Sequence, residues 1–464
     1  MDELSRTQPR FSLRVTVTTL LVCFAFVFRI ASPISAELSY VLIGMVALLG
    51  RRQAVIALAL SWFFTMINPA LAPDPSFGAI GRFFVIMAAA VSVFMRYKTR
   101  YKSFMRDFIW LTWFFAFFVL MHSLLVSPVV DVSVLKLTSW LIVFLTLLSA
   151  WGGLIPEART RLANQLFWAL VALVLLSLPL IVLPVGYLRN GHGFQGLLSH
   201  PQAFGVAMAF LGVWAFSRVL RSRRILYAEF VVFFLAFLLI FASESRTAAV
   251  ALALAISATV ALLRLTSKKT LKSLLPAFQS KNFRFCVLAV ALALLIFTPK
   301  ITQVANDFIS KSGRADASDL ISAYELSRSA LYLPMLENIA ADPWRGIGYG
   351  MASESQSMVV KRDLLFGLPI SAPVEKGNVP LAILEELGIF GLIVFILWLL
   401  VALLYAIKGG VIGLALISVV LLINFGEAMF FSPGGMGLLG ILLFTYAVTF
   451  SSNKDEGRKP GRAE

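Results

Sequence analysis

The chain has 464 residues, 59% of them hydrophobic and 14% charged, with a mean hydropathy of +0.87 and a net charge of +16. That composition excludes a soluble globular domain, and apolar runs of about 20 residues, repeated along the sequence, identify transmembrane helices. In a soluble protein so basic a balance would indicate nucleic acid. Here the charge sits in short loops between apolar runs, where it reads as topology signal and affinity for anionic lipid, so no nucleic-acid partner is expected.

The first apolar run, Val15 to Ile30, follows a short basic tail and lacks a small-residue cleavage site, so it is expected to be a first span, not a removed signal peptide. With its flanks it covers 15–33, and runs at 36–50, 53–72, 83–95, 108–126, 135–153 and 163–185 follow it. A polar turn from Leu188 to Gly205 comes next and holds His192 and His200. Spans are then expected at 203–219, 225–243, 247–264 and 285–300, the middle pair separated only by Ser243-Glu244-Ser245-Arg246-Thr247. Residues 300–380 form the one long polar segment, about 80 residues, which is far beyond an ordinary connection and implies a purpose of its own. Within it a helix-like, amphipathic stretch runs from Ile321 to Ala340, and Gly346, Gly348 and Gly350 are expected to shape a tight turn. Runs at 380–405, 411–427 and 435–451 complete about fourteen spans, or twelve if the short second and fourth fail to cross. The expectation is therefore an all-α polytopic membrane protein, one integral membrane domain over 1–464.

Orientation follows from lysine and arginine. Alternate loops are basic, and 27 of the 40 basic residues fall on one side together with both termini. The positive-inside rule makes that side cytoplasmic and places the 300–380 loop outside. Cys23 and Cys286 both lie in apolar runs, where a buried apolar role is expected, with neither a disulfide nor a metal site.

The outward side is poor in positive charge, so the cations there carry information, the main ones being Arg29, Arg82, Lys136, Arg189, Arg246, Arg314, Arg328, Arg345 and Lys376. Ionisable groups at a membrane boundary are costly unless paired or functional. Arg246 sits in a break of a few residues between two strongly apolar spans. It could pair locally with Glu244 or grip a phosphate through its planar two-donor fork. No second pair of metal-ligating residues lies near His192 and His200, so no metal is expected. His122 is expected to pack or hydrogen-bond locally, and Glu229 to reach Arg223 or Arg224. Glu427 either faces the outward cavity or pairs with an outward arginine.

Three clusters in this order resemble the bacterial O-antigen ligase and O-antigen polymerase superfamily. Gly196, His200-Pro201-Gln202 and Gly205 are similar to its glycine and His-Pro-Asn-type segment, and Ser245-Arg246-Thr247 to its Ser-Arg motif. Arg328, Tyr332, Pro343, Gly346 and Gly348 are similar to its loop pattern, while Asn378, Gly388 and Gly391 fit its closing spacing. The resemblance covers about residues 185–395. It implies a GT-C-like, metal-independent glycosyltransferase of the inner membrane, without cofactor, whose site faces the periplasm and whose donor is an undecaprenyl-diphosphate-linked glycan. The histidine of the ligase pattern falls on Gly377, so a group proposed there as base or substrate contact is missing.

The leading expectation is a polymerase joining lipid-linked repeat units of an exopolysaccharide, capsule or O-antigen. Arg246 and then Arg189 would hold the leaving diphosphate, and Glu375 would act as general base. His200, Gln202, Arg314, Arg328, Arg345, Lys376 and Asn378 would contact substrate, with Lys376 alternatively holding Glu375 in place. The loop helix would lie over the site as a lid. A glycan acceptor, the bilayer, a chain-length regulator and a flippase are the implied partners. The nearest alternative is a ligase transferring the finished chain to lipid A core or another acceptor. A transporter or flippase is the reading from a different class, but no span interior carries a cluster of carboxylates and no halved symmetry is visible.

Overall fold

The computed structural model describes residues 13–75, 78–96, 103–224, 226–267, 270–296, 320–354, 358–362, 367, 369–372 and 374–450. Seven helices precede the first polar turn: α1 (Leu13–Ala31), α2 (Pro33–Leu48), α3 (Arg51–Met66), α4 (Gly78–Met95), α5 (Ser103–Val126), α6 (Val130–Gly152) and α7 (Pro156–Ser177). After it come α8 (Pro201–Arg221), α9 (Tyr227–Ala242), α10 (Arg246–Thr266), the single-turn α11 (Leu271–Leu274) and α12 (Lys281–Ile296). The long loop contributes α13 (Leu320–Ala341) and a small antiparallel pair, β1 (Lys361–Arg362) with β2 (Pro369–Ser371). The chain closes with α14 (Val379–Gly409), α15 (Val411–Ile423) and α16 (Gly437–Thr449).

A helix stands at each expected span. Among the described residues six helices are long and apolar enough to cross a membrane: Met105–Val126, Val130–Gly152, Pro156–Val182, Pro201–Arg221, Arg246–Thr266 and Val379–Gly409. Further apolar helices are shorter, such as the 13-residue α15. At 1.5 Å per residue α15 rises about 20 Å, short of a hydrocarbon core of about 30 Å. The fold is thus that of a multi-pass membrane protein. The loop helix is present, with Pro334 inside it, but its sequence does not repeat apolar residues at helical spacing, so the expected amphipathic pattern is not borne out.

The core is built on small residues and on aromatic stacking. Helix α8 is the most enclosed of the six crossing helices. Ala203, Ala207, Gly212 and Ala215 let neighbouring helices approach it, and a Cβ on Gly212 would come within 2.7 Å of Leu252. At the other side Trp398 of α14 lies nearly parallel to Phe444 of α16, ring centroids 5.5 Å apart, and stacks on Phe108 and Phe115 of α5. Its indole N–H donates to Thr112 Oγ1 at 3.0 Å, so the one polar atom of the buried ring is satisfied.

Several expected pairings resolve differently. Glu229 meets Arg218 at 3.4 Å and not Arg223 or Arg224, because α8 and α9 pack antiparallel and bring the last turn of α8 against the first turn of α9. Cys23 is exposed and Cys286 partly so; both are free thiols on the helical surface and not core packing. Arg29 is buried, and its guanidinium donates to the backbone oxygens of Phe64 at 3.1 Å and of Pro73. Its cost of burial is offset by carbonyls at a helix end, which is a structural role.

Lys361 and Arg223 are both exposed, and they stand at opposite ends of the bundle: Arg362 pairs with Asp131 at the start of α6, whereas Arg223 follows the end of α8. With the native cysteines replaced, a membrane-impermeant thiol reagent applied from outside is expected to modify Lys361→Cys and to miss Arg223→Cys. The reverse pattern would overturn the orientation read from the basic loops.

Candidate active site at one end of the bundle

Every even-numbered helix from α2 to α10 starts at the same end, and α14 and α16 start there too. The turns carrying the three sequence clusters therefore gather at that end, and backbone contacts join them. Phe194 N–H donates to Ala242 O at 2.8 Å, so the 188–200 turn is fastened to the end of α9. Gly205, one turn into α8, faces the following break: a Cβ there would fall 2.3 Å from Ser245 Cβ. The His-Pro-Gln-x-x-Gly segment and the Ser-Arg segment thus pack directly on one another.

The break itself is tight. Glu244 has φ +53, the one positive φ at a non-glycine residue among those described, and α10 begins two residues later at Arg246. Arg246 is half-buried at that helix start. The next residue, Thr247, touches the turn after α15, where a Cβ on Gly426 would lie 2.5 Å from Thr247 Cγ2. Glu427 follows Gly426 and is buried. The same turn carries the third cluster: Val379 N–H donates to Asn424 O at 2.8 Å, and Asn378 Nδ2 donates to Phe425 O at 3.2 Å. Asn378 caps α14 by accepting from Leu381 N–H at 3.0 Å. Gly377 before it has φ +68.

Around this junction the candidate residues fall into distinct surroundings. Glu375, Arg189, His200 and Arg345 are exposed, and Gln202 and Asn378 are partly so. His200 Nδ1 accepts from Gln202 N–H at 3.2 Å and so caps α8. Lys376 is buried, its ammonium bound to Glu385 Oε2 and, at 3.0 Å, to Ser353 Oγ. It faces away from Glu375, into the protein. Arg345 lies on the far side of the loop, where its carbonyl meets His122 Nε2 of α5 at 2.5 Å. Arg328 lies within α13, and Arg314 lies outside the described residues.

The loop is docked to the membrane part by a network that sequence reading left without a role. Glu385 is fully buried and accepts from Lys376, from Asn338 Nδ2 of α13 at 2.8 Å and from Ser353 Oγ at 3.2 Å. Glu386 Oε2 accepts from Gly350 N–H at 2.7 Å. The Gly-x-Gly-x-Gly segment is a turn, as its spacing implies: all three glycines have positive φ, and Ile347 and Gly348 N–H donate to Glu385 and Glu386 carbonyls at 2.9 and 3.0 Å. Gly388 has φ +66 inside α14, and a Cβ there would meet Trp344 O at 2.1 Å, so only glycine permits this close approach. Beside it Tyr349 is buried; burial, with Glu386 nearby, pushes its phenol well above the usual range. Asn68 and Asn424 were also missed. Asn68 Nδ2 donates to Val185 O at 2.8 Å, and Asn424 Oδ1 accepts from Met429 and Phe430 N–H, so both stiffen the turns that frame the site. A lone asparagine ending an apolar run was the available signal.

Chemically, this end presents Arg246 and the N-termini of α8, α10 and α14 to one region. Helix N-termini and guanidinium forks both favour anions, phosphates above all. Residues 231–396, just over a third of the chain, match the family model described as O-antigen ligase (Wzy_C). The matched span contains the Ser-Arg break, the long loop and the first part of α14. No curated protein sequence matches the chain.

Proposed function

Because the chain belongs to the O-antigen ligase superfamily, we propose that it is a membrane glycosyltransferase of that ligase and polymerase type and, within it, a polymerase. It joins undecaprenyl-diphosphate-linked repeat units at the outer face of the inner membrane. The observation that carries this reading is the meeting of Arg246, the start of α8 and residues 375–378 at one end of the bundle, through Gly205 on Ser245 and Gly426 on Thr247.

In the proposed reaction an acceptor hydroxyl attacks the anomeric carbon of the donor. The bond from that carbon to the diphosphate oxygen breaks, and the polyprenyl diphosphate leaves with the electron pair. Arg246 holds the diphosphate with two parallel hydrogen bonds as its charge grows, with Arg189 second and the helix N-termini adding their field. Glu375, exposed beside the junction, receives the hydroxyl proton. His200, Gln202, Asn378, Arg314 and Arg328 contact glycan or phosphate, whereas Arg345, on the far side of the loop, does not reach the junction. Lys376, held by Glu385, sets the path of 375–378 from beneath. Since the charges that meet the diphosphate are side-chain cations, transfer is expected to survive a strong chelator. Complete loss that magnesium restores would mean that the diphosphate is stabilised otherwise.

The departure at Gly377 favours the polymerase, and the Asn378, Gly388, Gly391 spacing is the feature that favours the ligase. Product analysis separates them. Purified protein given lipid-linked repeat units alone is expected to yield a ladder of lengthened glycans. A ligase would leave the units unchanged until lipid A core is added, and would then make a single conjugate.

A further inference from the structure

A second feature lies away from the proposed reaction. A cleft of about 550 Å³ opens between α1, α3, α7 and α16. Its walls are apolar for most of their length, but their polar members gather at one end: Thr18, Thr19, Arg52, Gln53 and Gln165, all at the end opposite the candidate active site. There the Arg52 guanidinium donates through Nη2 to Gln165 Oε1 at 2.9 Å, while its Nε is buried without a hydrogen-bond partner. At the other end the cleft is lined by Phe26, Phe63, Leu176 and Leu197, with no charge.

We infer that this cleft holds one acyl chain of an anionic phospholipid of the inner leaflet, with the lipid phosphate on Arg52. Three physical points carry the assignment. An apolar cleft at membrane depth is filled by hydrocarbon in a bilayer, since water there lacks partners. From Arg52 to Phe63, at 1.5 Å per residue, the cleft runs about 16 Å along α3, which matches one leaflet, half of a hydrocarbon core of about 30 Å. Its single cation sits at the inner mouth with its guanidinium partly exposed, where a phosphate can meet it. The polyprenyl tail of a glycan donor fits less well: its diphosphate would lie at the outer mouth, where the lining offers no charge. The leaflet assignment rests on the orientation read from the basic loops, which thiol labelling tests separately. Lipid retention is measured without glycan substrate, so its failure leaves the transfer reading standing.

The test is native mass spectrometry of the purified full chain offered equal amounts of phosphatidylglycerol, phosphatidylethanolamine and undecaprenyl phosphate. One phosphatidylglycerol per chain is expected to remain bound in preference to the other two. Arg52→Gln should weaken that retention about fivefold, the effect of one cation near an anionic headgroup, and remove the preference over phosphatidylethanolamine. Arg52→Lys should keep both. Ala169→Phe, which fills the cleft and leaves Arg52 in place, should abolish retention. Undecaprenyl phosphate bound in place of phosphatidylglycerol would overturn the assignment. So would equal retention of the two phospholipids by the native chain, no bound lipid at all, or retention unchanged in Ala169→Phe.

Discussion

Replacing Arg246 by alanine should abolish glycan transfer while leaving the protein folded and inserted. The guanidinium stands half-buried at the start of α10, between the His-Pro-Gln segment and the turn at Gly426. Loss of a charge-assisted contact to a leaving diphosphate costs on the order of 3 kcal/mol or more, about a hundredfold in rate. Arg246→Lys should rescue poorly, because an ammonium is a point charge without the planar fork. Glu375→Gln is the matched comparison. Its side chain is exposed, so the change keeps shape and stability and removes only the proton acceptor. It should slow transfer and leave donor binding intact, whereas Arg246→Ala should weaken donor binding as well. Near-normal turnover by reconstituted Arg246→Ala would make the Ser-Arg segment a structural turn.

The largest stability effect is expected at Lys376 and Glu385. Both side chains are buried, 3% and 0% exposed, and they bind each other beneath the loop. Lys376→Ala would leave the Glu385 carboxylate in the interior with only Asn338 and Ser353 as donors. Breaking one half of a buried ion pair costs about 3–5 kcal/mol, so thermal unfolding of the purified protein should shift down sharply and little intact protein should accumulate. The paired change Lys376→Met with Glu385→Leu removes both charges and should recover most of that stability, because an apolar pair of similar volume is often neutral in such a site. A single variant as stable as the native chain would show that the pair is not what docks the loop. If the double variant is stable but slow in transfer, the pair also sets the path of residues 375–378, as the proposed mechanism requires.

The helices were legible because the bilayer fixes how many consecutive apolar residues a crossing needs, and a helix stands at each apolar run. The glycine turn at 346–350 was legible for a similar local reason: three glycines at a spacing of two have few other uses in a loop. What sequence could not supply was pairing between elements. Lys376 stands beside Glu375 in sequence, yet it turns inward to Glu385, which becomes reachable only because Gly346 and Gly388 let the loop lie against α14. Glu229 has two arginines close in sequence and chooses Arg218, across a helix interface. The three clusters of the site could be placed on one side of the membrane from loop charge alone. Their meeting depends on Gly205 and Gly426, small residues whose contacts with Ser245 and Thr247 no spacing rule records. The shared helical end is thus a consequence of topology, and the junction is a consequence of packing.

The central claim is that this outward end transfers glycan from a polyprenyl diphosphate. It is tested most directly with purified protein in liposomes and a single substrate, the undecaprenyl-diphosphate-linked repeat unit, by following released polyprenyl diphosphate and glycan length together. The account predicts one polyprenyl diphosphate released for each new glycosidic linkage, with both signals lost in Arg246→Ala. Release without lengthening, lengthening without release, or neither from a folded and correctly oriented protein would contradict it.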